Sequence, residues 1–116
     1  MSTSIVDLMQ PEFVTMEADA CELRFRPRPE FTIGNGVVQG GIVTTMLDMA
    51  MAIAGGGEIS TASLQIDILR PVVGEVLTVR GRITRRGKRI VFAEAELSGA
   101  DGTLLARGVQ TAVPTG

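Results

Sequence analysis

The carboxylate of Asp48 is the only charged group in residues 31–57. The helix predicted around it, over about 41–54, is apolar on nearly every face, and helices of that kind are normally buried. A buried carboxylate is costly unless it is paired, hydrogen-bonded or used in catalysis. Asp48 is therefore a candidate general base or nucleophile. The alternative is a structural acid that is hydrogen-bonded to Thr44 or Thr45, one turn earlier.

A glycine pair, Gly40 and Gly41, stands where this helix begins. The first N–H groups of a helix have no partner inside it, and glycine places no side chain in front of them. Such N–H groups can hold a developing oxyanion, although the glycines could also serve only close packing. Gly41 and Asp48 are seven residues apart, which is about 10 Å along a helix. A site that uses both groups must therefore combine two chains.

The composition excludes several kinds of chemistry. The chain has no histidine, which removes His-based triads, imidazole bases and most zinc sites, so we expect neither a metal nor another cofactor. Cys21 is the only cysteine and lies in a predicted strand, so we expect a packed, inert thiol. The net charge of −2 argues against nucleic-acid binding. No signal peptide is evident and the apolar helix is too short to cross a bilayer, so we expect a cytoplasmic protein without a membrane partner.

Six basic residues fall within ten positions of the second half of the chain. They are Arg80, Arg82, Arg85, Arg86, Lys88 and Arg89. One interpretation is the solvated face of a hairpin, and the other is a cradle for a polyanionic ligand such as a nucleotide phosphate.

Alternation of apolar and polar residues predicts strands on both sides of the helix. One strand, at about 22–26, precedes it, and glycines 55–57 end it. Four strands follow, and the last covers about 103–113. Their inward residues are predicted to be Leu64, Ile66 and Ile68, then Leu77, Val79, Gly81 and Ile83, then Val91, Ala93, Ala95 and Leu97.

These elements predict one α+β domain over residues 1–116, a five-stranded antiparallel sheet wrapped around one helix. Residues 1–20 add an N-terminal segment with a short helical turn at 5–10 and no other determined structure. Met46, Met49 and Met51 are expected to fill the core or an interface. Because one sheet cannot hide so apolar a helix, we expect at least a homodimer, with a dimer-of-dimers tetramer also open.

Several short motifs follow one another at fixed spacing. They are Gly36, the Gln-Gly-Gly of 39–41, Asp48, the run 64–71, Gly74-Glu75, the turn 87–89 and Asp101-Gly102. In this order the chain, from about Phe31 onward, resembles the hotdog-fold acyl-CoA thioesterases of the phenylacetic-acid-degradation (PaaI-like) type. The resemblance implies a hotdog fold, hydrolysis of an acyl-CoA thioester to free acid and CoA, and an active site between subunits.

The resemblance also implies roles for individual residues. Asp48 would be the general base or nucleophile, and the Gly40 N–H, beside Gly41, would hold the thioester carbonyl oxygen. A hydroxyl of Thr61 or Ser63 would help to place water. The basic residues Arg70, Lys88 and Arg89 would bind the phosphates of CoA.

Two positions depart from the family pattern. Gln39 stands where the family usually has a histidine, and its amide can donate a hydrogen bond to the substrate but cannot act as an acid or base. Ile33 stands where many relatives have an asparagine, and Asn35 is out of register by two residues. These departures favour the alternative of a non-catalytic acyl-CoA-binding or sensing protein. A hydratase on the same scaffold usually depends on a histidine, and a purely structural oligomer leaves Asp48 unexplained.

Overall fold

A computed structural model describes residues 4–115 and shows one long helix lying against an antiparallel sheet. In chain order the elements are α1 (Ile5–Met9), β1 (Glu12–Glu17), β2 (Ala20–Phe25), a 3-10 turn (Pro29–Phe31), α2 (Gly40–Ala54), β3 (Ile59–Ile68), β4 (Leu77–Arg86), β5 (Val91–Ser98) and β6 (Leu104–Pro114). The strand order across the sheet is β1-β2-β4-β5-β6-β3, and every neighbouring pair is antiparallel.

The sheet has six strands, so the expectation of five is wrong. The additional strand is β1, in the N-terminal segment for which only the helical turn α1 was predicted. Phe13 and Val14 are adjacent apolar residues, and the register with β2 shifts between Phe13 and Thr15. This irregularity breaks the period of two on which the strand predictions rest.

Helix α2 begins one residue earlier than predicted and ends where predicted. The side-chain oxygen of Gln39 accepts a hydrogen bond from the Ile42 N–H at 3.1 Å and so caps the first turn. Gly56 and Gly57, both with positive φ, follow the last turn. The helix buries seven side chains, which are Val43, Met46, Leu47, Met49, Ala50, Met51 and Ala54.

The face of the sheet that contacts α2, here called the inner face, carries the predicted apolar residues. Those of β4 and β5 are buried beneath the helix, apart from the partly buried Ile83. Gly81 lies under the middle of α2, where a Cβ atom would come within 2.5 Å of the Ala50 carbonyl oxygen. The glycine therefore allows the helix to approach β4 more closely than any other residue would.

Strand β3 forms one edge of the sheet, and its free edge pairs with no strand among residues 4–115. Most of the strand is exposed, including the apolar Leu64 at 37% and Ile68 at 46%. Exposed apolar residues on an unpaired edge strand favour association with another chain. Neither helix in the described part of the chain is long and apolar enough to cross a membrane.

Candidate active site

Asp48 lies on the side of α2 that faces β3, and its side chain is hydrogen-bonded to two neighbouring strands. The Thr61 hydroxyl of β3 and the Gln110 side-chain amide of β6 each donate to Oδ1 of Asp48, at 2.8 Å. Within residues 4–115 the other carboxylate oxygen, Oδ2, accepts no hydrogen bond, and no cation forms a salt bridge with Asp48. One oxygen is therefore fixed by neutral donors, and the other is free to react.

Thr44 and Thr45 do not hold Asp48, which answers the structural alternative raised by the sequence. Their hydroxyls instead donate to the carbonyl oxygens of Gly40 and Gly41, one turn earlier in α2, each at 2.9 Å. The partners of Asp48 come from distant parts of the chain. The carboxylate is therefore positioned by tertiary structure and not by its own helix.

A β-bulge in β3 decides which hydroxyl reaches Asp48. Thr61 is opposite Ala112 of β6, but Ser63 is opposite Thr111, so Ala62 is an extra residue in the ladder. Because a single extra residue reverses the alternation, Thr61 and Ser63 point to opposite faces of the sheet. Thr61 faces the helix, whereas Ser63 shares a 2.6 Å hydrogen bond with Thr111 on the other side, here called the outer face. The structure thus brings Thr61, and not Ser63, to the carboxylate.

Gln110 is a site residue that the sequence reasoning missed. It is 3% exposed and is the only buried polar or charged side chain among the described residues. Its Oε1 is buried without a hydrogen-bond partner in residues 4–115, and an unpartnered acceptor of this kind costs about 1–3 kcal/mol. A signal was present, because Gln110 shares its alternation phase in β6 with the small residues Ala106, Gly108 and Ala112.

Gln39, Gly40 and Gly41 lie together at the start of α2. Since Oε1 of Gln39 caps the helix, its Nε2 remains as the donor. The Gly40 and Gly41 N–H groups have no acceptor in the described part of the chain. A Cβ atom on Gly40 would lie 3.5 Å from Cδ1 of Ile68, an ordinary contact, so packing within the chain does not require glycine there.

The start of α2 and Asp48 are not brought together within one chain. Both belong to a single continuous helix, Gly40–Ala54. The eight residues from Gly40 to Asp48 span about 12 Å along the helix axis. One thioester carbon cannot contact both groups of the same chain.

Half of the basic cluster is engaged in ion pairs with carboxylates on adjacent strands or turns. Arg80 pairs with Glu22, Arg82 with Glu94, and Arg86 with Asp19. This part of the cluster has the solvated, charge-paired character that the simpler interpretation predicts. Among residues 4–115, the other three form no salt bridge, and they are Arg85, Lys88 and Arg89.

Arg70 lies at the opposite end of the sheet from Lys88 and Arg89. Its backbone N–H donates to Leu105, just beyond the end of β3, and its charge contributes to lowering the pKa of Asp101. The larger cause of that lowered pKa is the hydrogen bond from the Thr103 N–H in the same turn. Lys88 and Arg89 are exposed in the turn between β4 and β5. Within one chain the three candidate phosphate ligands therefore form two groups.

Cys21 has the surroundings of a structural thiol. It is 4% exposed, and its Sγ donates to the Ala50 carbonyl oxygen at 3.2 Å. Burial raises the pKa of the Cys21 thiol, which disfavours the reactive thiolate. Residues 4–115 also contain no group of three or more His, Cys, Asp or Glu side chains placed to bind a metal ion.

Comparison with known proteins identifies the family. Residues 35–106 match the model of the thioesterase superfamily. The chain belongs to this superfamily. Its fold is the hotdog fold, an antiparallel sheet with one long helix, of the PaaI-like type.

Individual relatives cover nearly the whole chain. A phenylacetic acid degradation-related protein from Ralstonia eutropha, described as a "putative thioesterase", is 26% identical with a TM-score of 0.87, and the match covers 97% of this chain and 91% of that protein. The PaaI protein of E. coli is similar in fold, at 17% identity and a TM-score of 0.86 over 93% of this chain and 86% of its own. A Saccharolobus solfataricus protein named "putative esterase" is 26% identical over 90% of this chain and 79% of its own length.

Proposed function

We propose that the protein is an acyl-CoA thioesterase that hydrolyses its substrate to a free acid and CoA, with Asp48 as the reacting carboxylate. The observation that carries the proposal is the arrangement around Asp48. Thr61 and Gln110 both donate to Oδ1, while Oδ2 has no partner among residues 4–115. A carboxylate held in this way is oriented without being neutralised, which suits a base or a nucleophile.

Two chemical routes use this carboxylate. As a general base, Asp48 takes a proton from water while the water oxygen bonds to the thioester carbon, and the carbon–sulfur bond then breaks to release CoA thiolate. As a nucleophile, a carboxylate oxygen attacks the same carbon, CoA thiolate leaves, and water hydrolyses the resulting anhydride. In both routes negative charge develops on the carbonyl oxygen, and N–H groups at a helix start stabilise it.

The proposed site lies between two chains, with Asp48 from one and Gly40 from the other. The separation of these groups along α2 supports this arrangement, as do the exposed residues of the edge strand β3. Two α2 helices that pack antiparallel, side by side, place the start of one beside the middle of the other. We therefore propose a homodimer as the smallest active unit.

A non-catalytic acyl-CoA-binding protein is the second candidate. It is favoured by the Gln39 side chain, whose oxygen is committed to capping α2. It is also favoured by the loop before the helix, where Ile33 is 63% exposed and the Asn35 side chain accepts from the Val37 N–H. Neither residue faces Asp48 with a free amide.

A thiol-release assay separates the two candidates. Purified protein is incubated with short, long and aromatic acyl-CoAs, and binding of the same compounds is measured by calorimetry. We expect release of CoA thiol above the uncatalysed rate with at least one of them. Binding without thiol release from any compound would contradict the thioesterase and support the binding protein.

The CoA end of the substrate is proposed to contact Lys88 and Arg89. Lysine and arginine bind phosphate through charge-assisted hydrogen bonds, each worth about 1.5 kcal/mol or more. The double variant Lys88→Ala/Arg89→Ala is therefore expected to raise KM for acyl-CoA about tenfold or more. KM for a simple thioester that lacks the nucleotide should not change.

The matched control is Arg80→Ala/Arg82→Ala, which removes the same charge from side chains that are already paired with Glu22 and Glu94. Its KM for acyl-CoA should stay close to the wild-type value. An equal loss on both substrates in the Lys88/Arg89 variant would refute a role in phosphate binding.

A further inference from the structure

We propose that Gln110 is the positioning residue of Asp48, able to hold its carboxyl group in both the charged and the protonated state. The inference rests on the proposed function, because it assigns Gln110 a part in the same reaction. Gln110 donates from Nε2 to Oδ1 of Asp48 at 2.8 Å and is 3% exposed. It acts through Asp48 and contacts none of the reacting atoms itself.

The fold alone does not explain a glutamine at this position. Gln110 lies in β6 with Ala93 of β5 opposite on one side and Leu64 of β3 opposite on the other. Its surroundings on the inner face are small or apolar, and its Oε1 has no partner among the described residues. An apolar side chain of similar volume would avoid the unpartnered oxygen, so it would serve stability equally well or better.

The unused oxygen has a use once Asp48 changes its protonation state. A carboxylate only accepts hydrogen bonds, whereas a protonated carboxyl also donates one. A half-turn about the last side-chain bond exchanges the two ends of the Gln110 amide and presents Oε1 to Asp48 in place of Nε2. Glutamine can therefore pair with the base before and after it takes a proton, whereas a lysine or arginine could only donate.

No charge near Asp48 provides this balance instead. The charged residues of the strands packed against α2 lie on the outer face or at strand ends, and the titratable group on the inner face, Cys21, donates to Ala50. They are Glu22 and Arg24 of β2, Asp67 of β3, Arg80, Arg82, Arg85 and Arg86 of β4, Glu94 and Glu96 of β5, and Arg107 of β6. The two neutral donors are thus the only polar side chains of residues 4–115 that hold the carboxylate.

The test compares Gln110→Met, which keeps the volume and removes both hydrogen-bonding ends, with Gln65→Met on the exposed outer face of β3 as its control. For Gln110→Met we expect kcat to fall about 10- to 100-fold with KM nearly unchanged, because a misoriented base affects the chemical step. The acid limb of the kcat/KM profile should move to higher pH, since the charged carboxylate has lost a donor. Gln65→Met should match the wild type in all three respects.

A second measurement does not depend on turnover. The side-chain carboxyl carbon of Asp48, followed by ¹³C NMR, should titrate at higher pH in Gln110→Met than in the wild type. If Gln110→Met does not fold, Gln110→Leu makes the same comparison. An unchanged kcat, pH profile and titration would overturn the inference even in an active thioesterase. A shifted titration in a protein without thioesterase activity would instead refute the proposed function while leaving the pairing of Gln110 with Asp48 intact.

Discussion

Asp48→Asn is expected to lower kcat for acyl-CoA hydrolysis by about 1,000-fold, within the range that a general base contributes. The substitution keeps the volume of the side chain and removes its ability to accept a proton or attack carbon. Thr61 and Gln110 both donate to Oδ1, and the amide oxygen of asparagine can accept both hydrogen bonds. The fold should therefore survive, with equal or higher stability once a partly buried charge is removed.

Asp67→Asn is the matched control for this substitution. Asp67 also lies beside β6, but on the outer face of β3, where it forms a salt bridge with Arg107. Its activity should stay near that of the wild type. Thermal melting of both variants separates a loss of chemistry from a loss of structure. An Asp48→Asn variant that keeps more than about a tenth of the wild-type kcat would make Asp48 a structural residue.

The two routes through Asp48 are distinguished by oxygen labelling. In a single turnover in ¹⁸O-water, general-base catalysis places the label in the released acid. Nucleophilic catalysis through an anhydride places the label on Asp48 when water attacks the Asp48 acyl carbon, and mass spectrometry of the peptide containing Asp48 detects it. The comparison needs only the wild-type protein and follows directly from which bond each route forms.

The sequence predicted most of the fold because its strongest patterns are local. The apolar run at 41–54 specifies a buried helix, and glycines at its end stop it. Strands β4 and β5 alternate cleanly between apolar and polar residues and lie with the expected faces inward. Strand β1 escaped prediction because its bulge interrupts the period of two that reveals such strands.

The site was predicted only in part, because its geometry depends on register. Asp48 could be found from sequence as an isolated charge in an apolar run. Whether Thr61 or Ser63 reaches it depends on the bulge at Ala62, which no local pattern announces. Gln110 stands out as a polar residue among inward positions of β6, but only the tertiary arrangement of α2, β3 and β6 places it beside Asp48.

The proposed site between chains predicts that two inactive variants restore each other. Asp48→Asn lacks the reacting carboxylate, and Gly40→Val places a branched side chain where the carbonyl oxygen is proposed to bind. Each variant alone should be nearly inactive. In a heterodimer, one site combines Asp48 of the Gly40→Val chain with Gly40 of the Asp48→Asn chain, and the other site carries both substitutions.

Mixing equal amounts and allowing subunits to exchange should therefore recover about a quarter of the wild-type activity, because half of the dimers are mixed and each mixed two-fold dimer has one intact site. The two chains carry different affinity tags, so that the heterodimer can be isolated and its composition verified by native mass spectrometry. Sedimentation confirms that each variant still forms dimers, and samples of either variant exchanged with itself set the background. Isolated heterodimers without recovered activity would rule out a site shared between Asp48 of one chain and Gly40 of another. Asp48 would then act with groups of its own chain, and the exposed edge of β3 would have no part in catalysis.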